Sequence, residues 1–255
     1  MAKIYNSLFV NIMVLIITCG QIYSQHRINY SVGLNQIKEE NLIPKVHTGM
    51  NHFLSYEYET IDNSYQCIEF FLSYGTMKAE IEDETVSYNA RAGLGYCYGI
   101  KIICEEKFKY FLGPGLSFSS SMSEYENFDE AHHYWGNFLS LGINNVGLLN
   151  IDQDKYFIFK FNFSALGIYT RPDYHRLYAN EIWTFSDVIE VLNSHYKFGF
   201  INNAFQLKAS AEYRTNLWAD KYLSLGLSIF FSRIKADDGK PLKELVPGLT
   251  VGVLL

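Results

Sequence analysis

The feature that most constrains this chain is a period-two alternation that recurs along most of its length. In VSYNARAGLGYCYGIKI, residues 86–102, the even positions are Val86, Tyr88, Ala90, Ala92, Leu94, Tyr96, Tyr98, Ile100 and Ile102. The odd positions, from Ser87 to Lys101, are mostly glycine or polar. Only a β-strand sends successive side chains to opposite faces, so this is a strand with one greasy side. At ~3.3 Å per residue it would run roughly 56 Å.

Similar stretches occupy 28–34, 53–60, 68–75, 108–119, 139–144, 157–165, 205–214, 223–231 and 248–255. With the opening stretch they predict ten strands. The connectors then sort into two kinds. Those at 61–64, 104–107, 150–154 and 218–221 are short. Those at 38–45, 80–84, 120–133, 171–195 and 235–243 are generally longer and more polar. Short turns at one end and longer loops at the other, on an even number of strands, is the organisation of a transmembrane barrel.

One register fault tests the count. Tyr196, Phe198 and Phe200 put apolar residues on even numbers, whereas Phe205 and Leu207 put them on odd ones. A bulge at Asn202-Asn203 keeps ten strands. A hairpin there would recruit a strand near 182–185 and make twelve. The reading favours ten.

The composition of the polar face decides which side is outside. It carries glycine, serine and asparagine with isolated charges, unlike a water-facing surface. Small residues and opposite charges suit a narrow lumen, and the nearly uncharged aromatic and aliphatic face suits lipid. The expected fold is therefore all-β: an antiparallel transmembrane β-barrel of about ten strands, apolar face outward. No helical span is needed, because a closed barrel pairs every backbone group. The formal charge of −6, without a Lys/Arg-rich run, argues against nucleic acid as a partner.

The N-terminus reads as a signal peptide over 1–24, followed by a barrel domain over 25–255. Lys3 supplies the basic start, 8–17 is apolar but for Asn11, and Ser24 is a small residue at the cleavage point. The apolar run is shorter than the ~18–20 residues of a spanning helix. Lipidation at Cys19 is the alternative, disfavoured by Thr18 immediately before it.

This patterning, with its Tyr/Phe-rich composition and its Ser24-Gln25 junction, resembles the small outer-membrane β-barrel proteins of Gram-negative bacteria, those of Bacteroidota in particular. The resemblance covers nearly all of 26–255. It implies signal-peptide cleavage, handling by the barrel-assembly machinery, outer-membrane lipid as surroundings, short turns in the periplasm and long loops at the cell surface. The chain departs from many members by ending Val253-Leu254-Leu255 in place of a terminal aromatic residue.

Candidate site residues follow from the lumen face. Glu57, Glu69, Arg91, Lys101, Lys109, Lys160, Glu212 and Arg214 are read as a structural charge cluster, most of it in one layer near the short-turn end. Cys67 and Cys97 fall on the lumen face of adjacent strands, and a hairpin centred near residue 82 places them opposite each other, either for a disulfide or as small buried residues. Asp129, Glu130, His132 and His133 read as a solvated loop, since neither HExxH nor a Cys/His zinc spacing is present.

His133, His175 and His195, with Asp129, Asp173 and Asp187, are the residues a barrel enzyme would have to draw on, but no local signature surrounds them. Ser186 would cap a short helix in the connector 171–195 that closes the barrel mouth. The Gly-x-Gly pairs at 93–95 and 113–115 lie within strands and are not phosphate loops. No catalytic residue, cofactor or metal is expected. The reading is a non-enzymatic outer-membrane barrel serving envelope structure, surface interaction or limited solute passage. A lipid-surface barrel enzyme and a secreted soluble ligand-binding barrel are the alternatives.

Overall fold

The structure is a computed structural model that describes residues 24–38, 46–79, 85–125, 132–152, 154–170, 196–218, 221–235 and 241–254. Within these residues the strands are β1 (Ser24–Lys38), β2 (Val46–Ile61), β3 (Ser64–Ala79), β4 (Thr85–Cys104), β5 (Phe108–Tyr125), β6 (His132–Asp152), β7 (Lys155–Thr170), β8 (Tyr196–Phe200), β9 (Ala204–Trp218), β10 (Lys221–Ile234) and β11 (Leu242–Leu254). Every pairing among them is antiparallel, and the ring closes through β6–β7 on one side and β1–β11 on the other. Closure leaves no sheet edge around the main body. No described helix is long and apolar enough to cross a membrane.

Eleven strand segments make ten staves. Both β8 and β9 pair with the same edge of β7, β8 at Leu166–Thr170 and β9 at Lys155–Ser164. The fault expected at Asn202-Asn203 is therefore an interruption within one stave, not a hairpin. It is larger than a one-residue bulge, because Phe200 faces Leu166 and Gln206 faces Ser164, leaving 201–205 against Ala165 alone. Asn203 holds the turn together. Its backbone N–H donates to the Phe200 carbonyl at 2.9 Å, and its side chain accepts from the Phe200 N–H at 2.6 Å. A second irregularity, which the alternation did not announce, sits on β7: Leu141 and Gly142 are adjacent on β6 but face Leu166 and Ser164.

The outer wall is the apolar face. Leu227 is 62% exposed and Leu249, its cross-strand partner, 66%. Polar groups on that wall find partners, as where Tyr30 and His52 share a hydrogen bond of 2.7 Å. The lumen holds buried serines, asparagines, arginines and glutamates. A soluble barrel with its apolar face inward is excluded by this arrangement.

The strands outrun the alternation that revealed them. β4 has 20 residues and β6 has 21, against the ~9–11 that a tilted strand needs to cross a bilayer. The connector expected at 120–133 is accordingly shorter, since β5 continues to Tyr125 and β6 starts at His132. The expected signal segment lies outside the described residues except for Ser24. The connector 171–195, with its expected helix at Ser186, lies outside them as well.

Candidate functional site: a charged floor and a chamber in the lumen

The short-turn end of the lumen is closed by side chains reaching across it. β1, β2, β7 and β9 supply Arg27, Glu57 with Glu59, Lys160, and Glu212 with Arg214. Arg27 donates to Glu57 and to Glu212. Arg214 donates to Glu59 Oε2 at 2.7 Å, to Glu59 Oε1 at 3.3 Å and to Glu212 Oε2 at 3.1 Å. Lys160 donates to Glu57 Oε2 at 2.7 Å and also reaches Glu59. Three cations thus face three carboxylates. Buried charges are tolerable only when paired and hydrogen-bonded throughout. Neutral donors add to the set, with Tyr65 Oη donating to Glu59 at 3.0 Å and Asn29 Nδ2 to Glu57 at 2.9 Å, while Arg27 Nε has no partner among the described residues.

The other half of the floor is apolar. Tyr65, Phe111, Val146, Leu148 and Ile158 form one buried cluster with Cys67. Charge and hydrocarbon lie side by side at this end, and Arg27, Glu59, Arg214, Tyr65, Phe111 and Ile158 are fully buried there.

Above the floor lies a chamber of about 200 Å³. Lys208 crosses it from β9 to Glu69 on β3, with its ammonium 5.8 Å from the Phe53 ring centre and 6.0 Å from that of Phe71. Gln206 on β9 donates to Ser119 Oγ on β5 at 3.3 Å. Nearer the long-connector end, Arg91 on β4 meets Glu244 on β11, with its guanidinium 4.5 Å from the Phe230 ring centre.

The expected charge cluster is therefore divided. Glu57, Lys160, Glu212 and Arg214 come together in the floor. Glu69 pairs with Lys208 across the chamber, and Arg91 joins Glu244 higher up. Lys101 stands at the short-turn rim, 3.4 Å from Asn63 Oδ1, and Lys109, second residue of β5, stands at the same end. Neither enters the floor network, which corrects the expectation of a single layer.

The residue reading missed Arg27, Glu59, Lys208 and Glu244 as members. Each has the parity of a lumen residue, and parity was the signal available. Arg27 lies one residue before the stretch read as a strand. Glu244 lies where the alternation had faded although the ladder continues, opposite Ser232.

Cys67 and Cys97 are direct cross-strand partners, as the hairpin geometry required. Both are free thiols in the structure, as is Cys104. Glu57, Glu59 and Cys67 bring ligand-type atoms within 4.8 Å of one another. Arg27, Lys160 and Arg214 already occupy those carboxylates, so the donor set suits ion pairing and not a divalent ion.

His132 and His133 open strand β6 and do not belong to a loop. Asp129, Glu130, Asp173, His175, Asp187 and His195 lie outside the described residues.

No family model matches the chain, and no curated protein matches it. Solved structures do. The outer membrane protease OmpT from Escherichia coli is similar at 8% identity and a TM-score of 0.54, over 91% of this chain and 95% of that one. The transport unit of the autotransporter AIDA-I from Escherichia coli is similar at 9% identity and a TM-score of 0.49, over 93% and 91%. The translocator domain of the autotransporter NalP from Neisseria meningitidis is similar at 6% identity and a TM-score of 0.45, over 98% and 95%. At 8% identity the OmpT likeness is one of fold: this chain has the closed antiparallel architecture of an outer-membrane barrel.

Proposed function

We propose that this protein is a non-enzymatic integral outer-membrane barrel whose lumen is closed on the periplasmic side. It serves envelope structure, surface interaction or the limited passage of a small solute. The floor carries this reading: among the described residues, three buried cations, three buried carboxylates and an apolar cluster occupy the short-turn end of the lumen. Ten staves also fall between the filled eight-stranded class and the open barrels of 16–18 strands. The apolar outer wall suits outer-membrane lipid, and a barrel of this kind would reach it through the barrel-assembly machinery after loss of residues 1–24. Short turns then face the periplasm and the long connectors face the cell exterior.

Planar-bilayer recording of the purified, refolded barrel tests the closed floor. The expected result is a membrane that takes up protein, shown by fluorescent labelling, without large, stable single-channel steps. Stable steps of porin size would overturn it. If a hydrolytic activity is found at the surface, single substitution of His133, His175 and His195 tests the barrel-enzyme alternative.

A further inference from the structure

We propose that the outer wall at the long-connector end of β10, β11 and β1 holds the phosphate of an anionic lipid of the outer leaflet. The seat is centred on Arg233 and Lys243. The inference rests on the membrane-barrel reading and on its orientation, with the long connectors outside the cell.

Three observations carry it. The first is a row of like charges. Arg233 on β10 stands directly opposite Lys243 on β11, and Lys243 stands directly opposite Lys38 on β1. All three have the parity of the apolar outer wall, Arg233 with Leu227, Lys243 with Leu249, and Lys38 with Ile28 and Leu34. Two strands further round, Lys78 on β3 is exposed on the same wall. With neighbouring strands ~4.8 Å apart, the backbone positions of the first three cations span only about 10 Å. Like charges directly opposite each other destabilise a ladder, so the row calls for a counter-charge.

The second observation is that the wall does not supply one. Among the described residues, the outer faces of β10, β11, β1, β2 and β3 carry no Asp or Glu. Lys243 is exposed and meets no carboxylate among the described residues. Arg233 donates from Nη1 to the Asn202 carbonyl at 3.0 Å. That neutral acceptor fixes the guanidinium without cancelling its charge. The lumen differs, since Glu57, Glu69, Glu212 and Glu244 each meet a cation there.

The third observation is the level of the row. On β10 the outward apolar run from Leu223 to Phe231 lies between Lys221 and Arg233. On β11 the outward run from Leu245 to Val253 begins just after Lys243. Each run has about the ~9–11 residues with which a tilted strand crosses a bilayer. Arg233 and Lys243 therefore stand where hydrocarbon gives way to headgroups, the level at which basic clusters attract anionic lipid. An arginine fork can take two oxygens of one phosphate, and the neighbouring ammonium adds a point charge. The acyl chains then lie on the wall of Leu227, Ile229, Leu249 and Val251. A free phosphate would leave that wall uncovered, which is why the occupant is a lipid.

The test uses the mature barrel refolded in a neutral detergent. Native mass spectrometry counts the lipid retained in titrations with lipid A, with lipid A stripped of its phosphates as comparator. Arg233→Gln/Lys243→Gln removes the seat, Arg233→Lys/Lys243→Arg keeps its charge, and Lys221→Gln removes an exposed cation at the other end of β10. The expected result is saturable retention of lipid A, about tenfold or more weaker in the double Gln variant. The charge-keeping variant and Lys221→Gln should still retain it, the stripped lipid should not be held, and excess inorganic phosphate should not displace it. No retention by a parent barrel that still shows a heat-dependent gel shift would overturn the inference alone. Equal retention by the double Gln variant, equal retention of the stripped lipid, displacement by inorganic phosphate, or an equal loss in Lys221→Gln would also overturn it. Loss of the heat shift in the parent protein would instead remove the barrel reading, and this inference with it.

Discussion

Arg214 and Glu59 meet across the lumen at 2.7 Å, both fully buried, although 155 residues separate them in the chain. The contact joins β9 to β2, which are not neighbours in the sheet. It is a strut through the barrel rather than a rung of its wall, and it belongs to a network in which positive and negative charges balance.

That balance predicts what Glu59→Gln does. One carboxylate fewer leaves a positive charge buried without compensation, which costs about 3–5 kcal/mol. The double variant Glu59→Gln/Arg214→Gln restores neutrality and recovers at least half of the loss. Urea unfolding of the barrel refolded in vesicles measures both. A single variant as stable as the parent would contradict the network's role.

Leu227→Arg tests the outer wall. Leu227 stands near the middle of β10 with its side chain on the outer face. In lipid, an arginine near the midplane costs about 2–4 kcal/mol. On a water-facing surface the same change would lie within about 0.5 kcal/mol of zero. The same vesicle unfolding assay separates the two.

Two glycines two residues apart on β4 should respond differently. A Cβ on Gly93 would approach the Phe71 ring to 2.5 Å and the Phe118 carbonyl oxygen to 2.6 Å, so Gly93→Val pushes Phe71 off its stack with Phe53 and strains the ladder to β5. Overpacking of this kind costs about 1–3 kcal/mol. Gly95→Ala has room and costs less than about 0.5 kcal/mol. The temperature at which the folded gel band disappears orders the two variants. Equal sensitivity would contradict the packing.

The cysteines should label in a fixed order. Cys104 is exposed at the end of β4, whereas Cys67 is buried against Glu57, with its Sγ 3.8 Å from Oε2. Iodoacetamide should modify Cys104 in the folded protein and reach Cys67 only after unfolding. Oxidation by copper phenanthroline should join Cys67 to Cys97, leaving one alkylatable thiol under denaturing conditions. Three labelled thiols after that treatment would contradict their cross-strand placement.

The fold was legible because lipid and lumen impose opposite demands on alternate residues. Gly93, Tyr96 and Cys97 already announce a two-faced strand, and the short turns beside Ile61 and Cys104 announce the hairpins. The alternation fades where a strand leaves the bilayer, because nothing there requires an apolar outer face. For that reason His132 read as loop and Glu244 fell outside the stretch read as a strand, although both lie in ladders.

The site was legible only in part, for a different reason. Parity shows that Glu57, Lys160 and Arg214 point inward, but not which of them meet. That depends on how far each stave is staggered around the ring. Arg91 also points inward on its own strand and yet meets Glu244 toward the opposite end.

The most direct test of the account is the migration of the mature protein in SDS gels, unheated and boiled, together with carbonate extraction of the membrane fraction. A closed barrel with its apolar face in lipid should migrate as a folded band until boiled and should stay with the membranes. Identical migration before and after boiling, with release by carbonate, would contradict the membrane-barrel account.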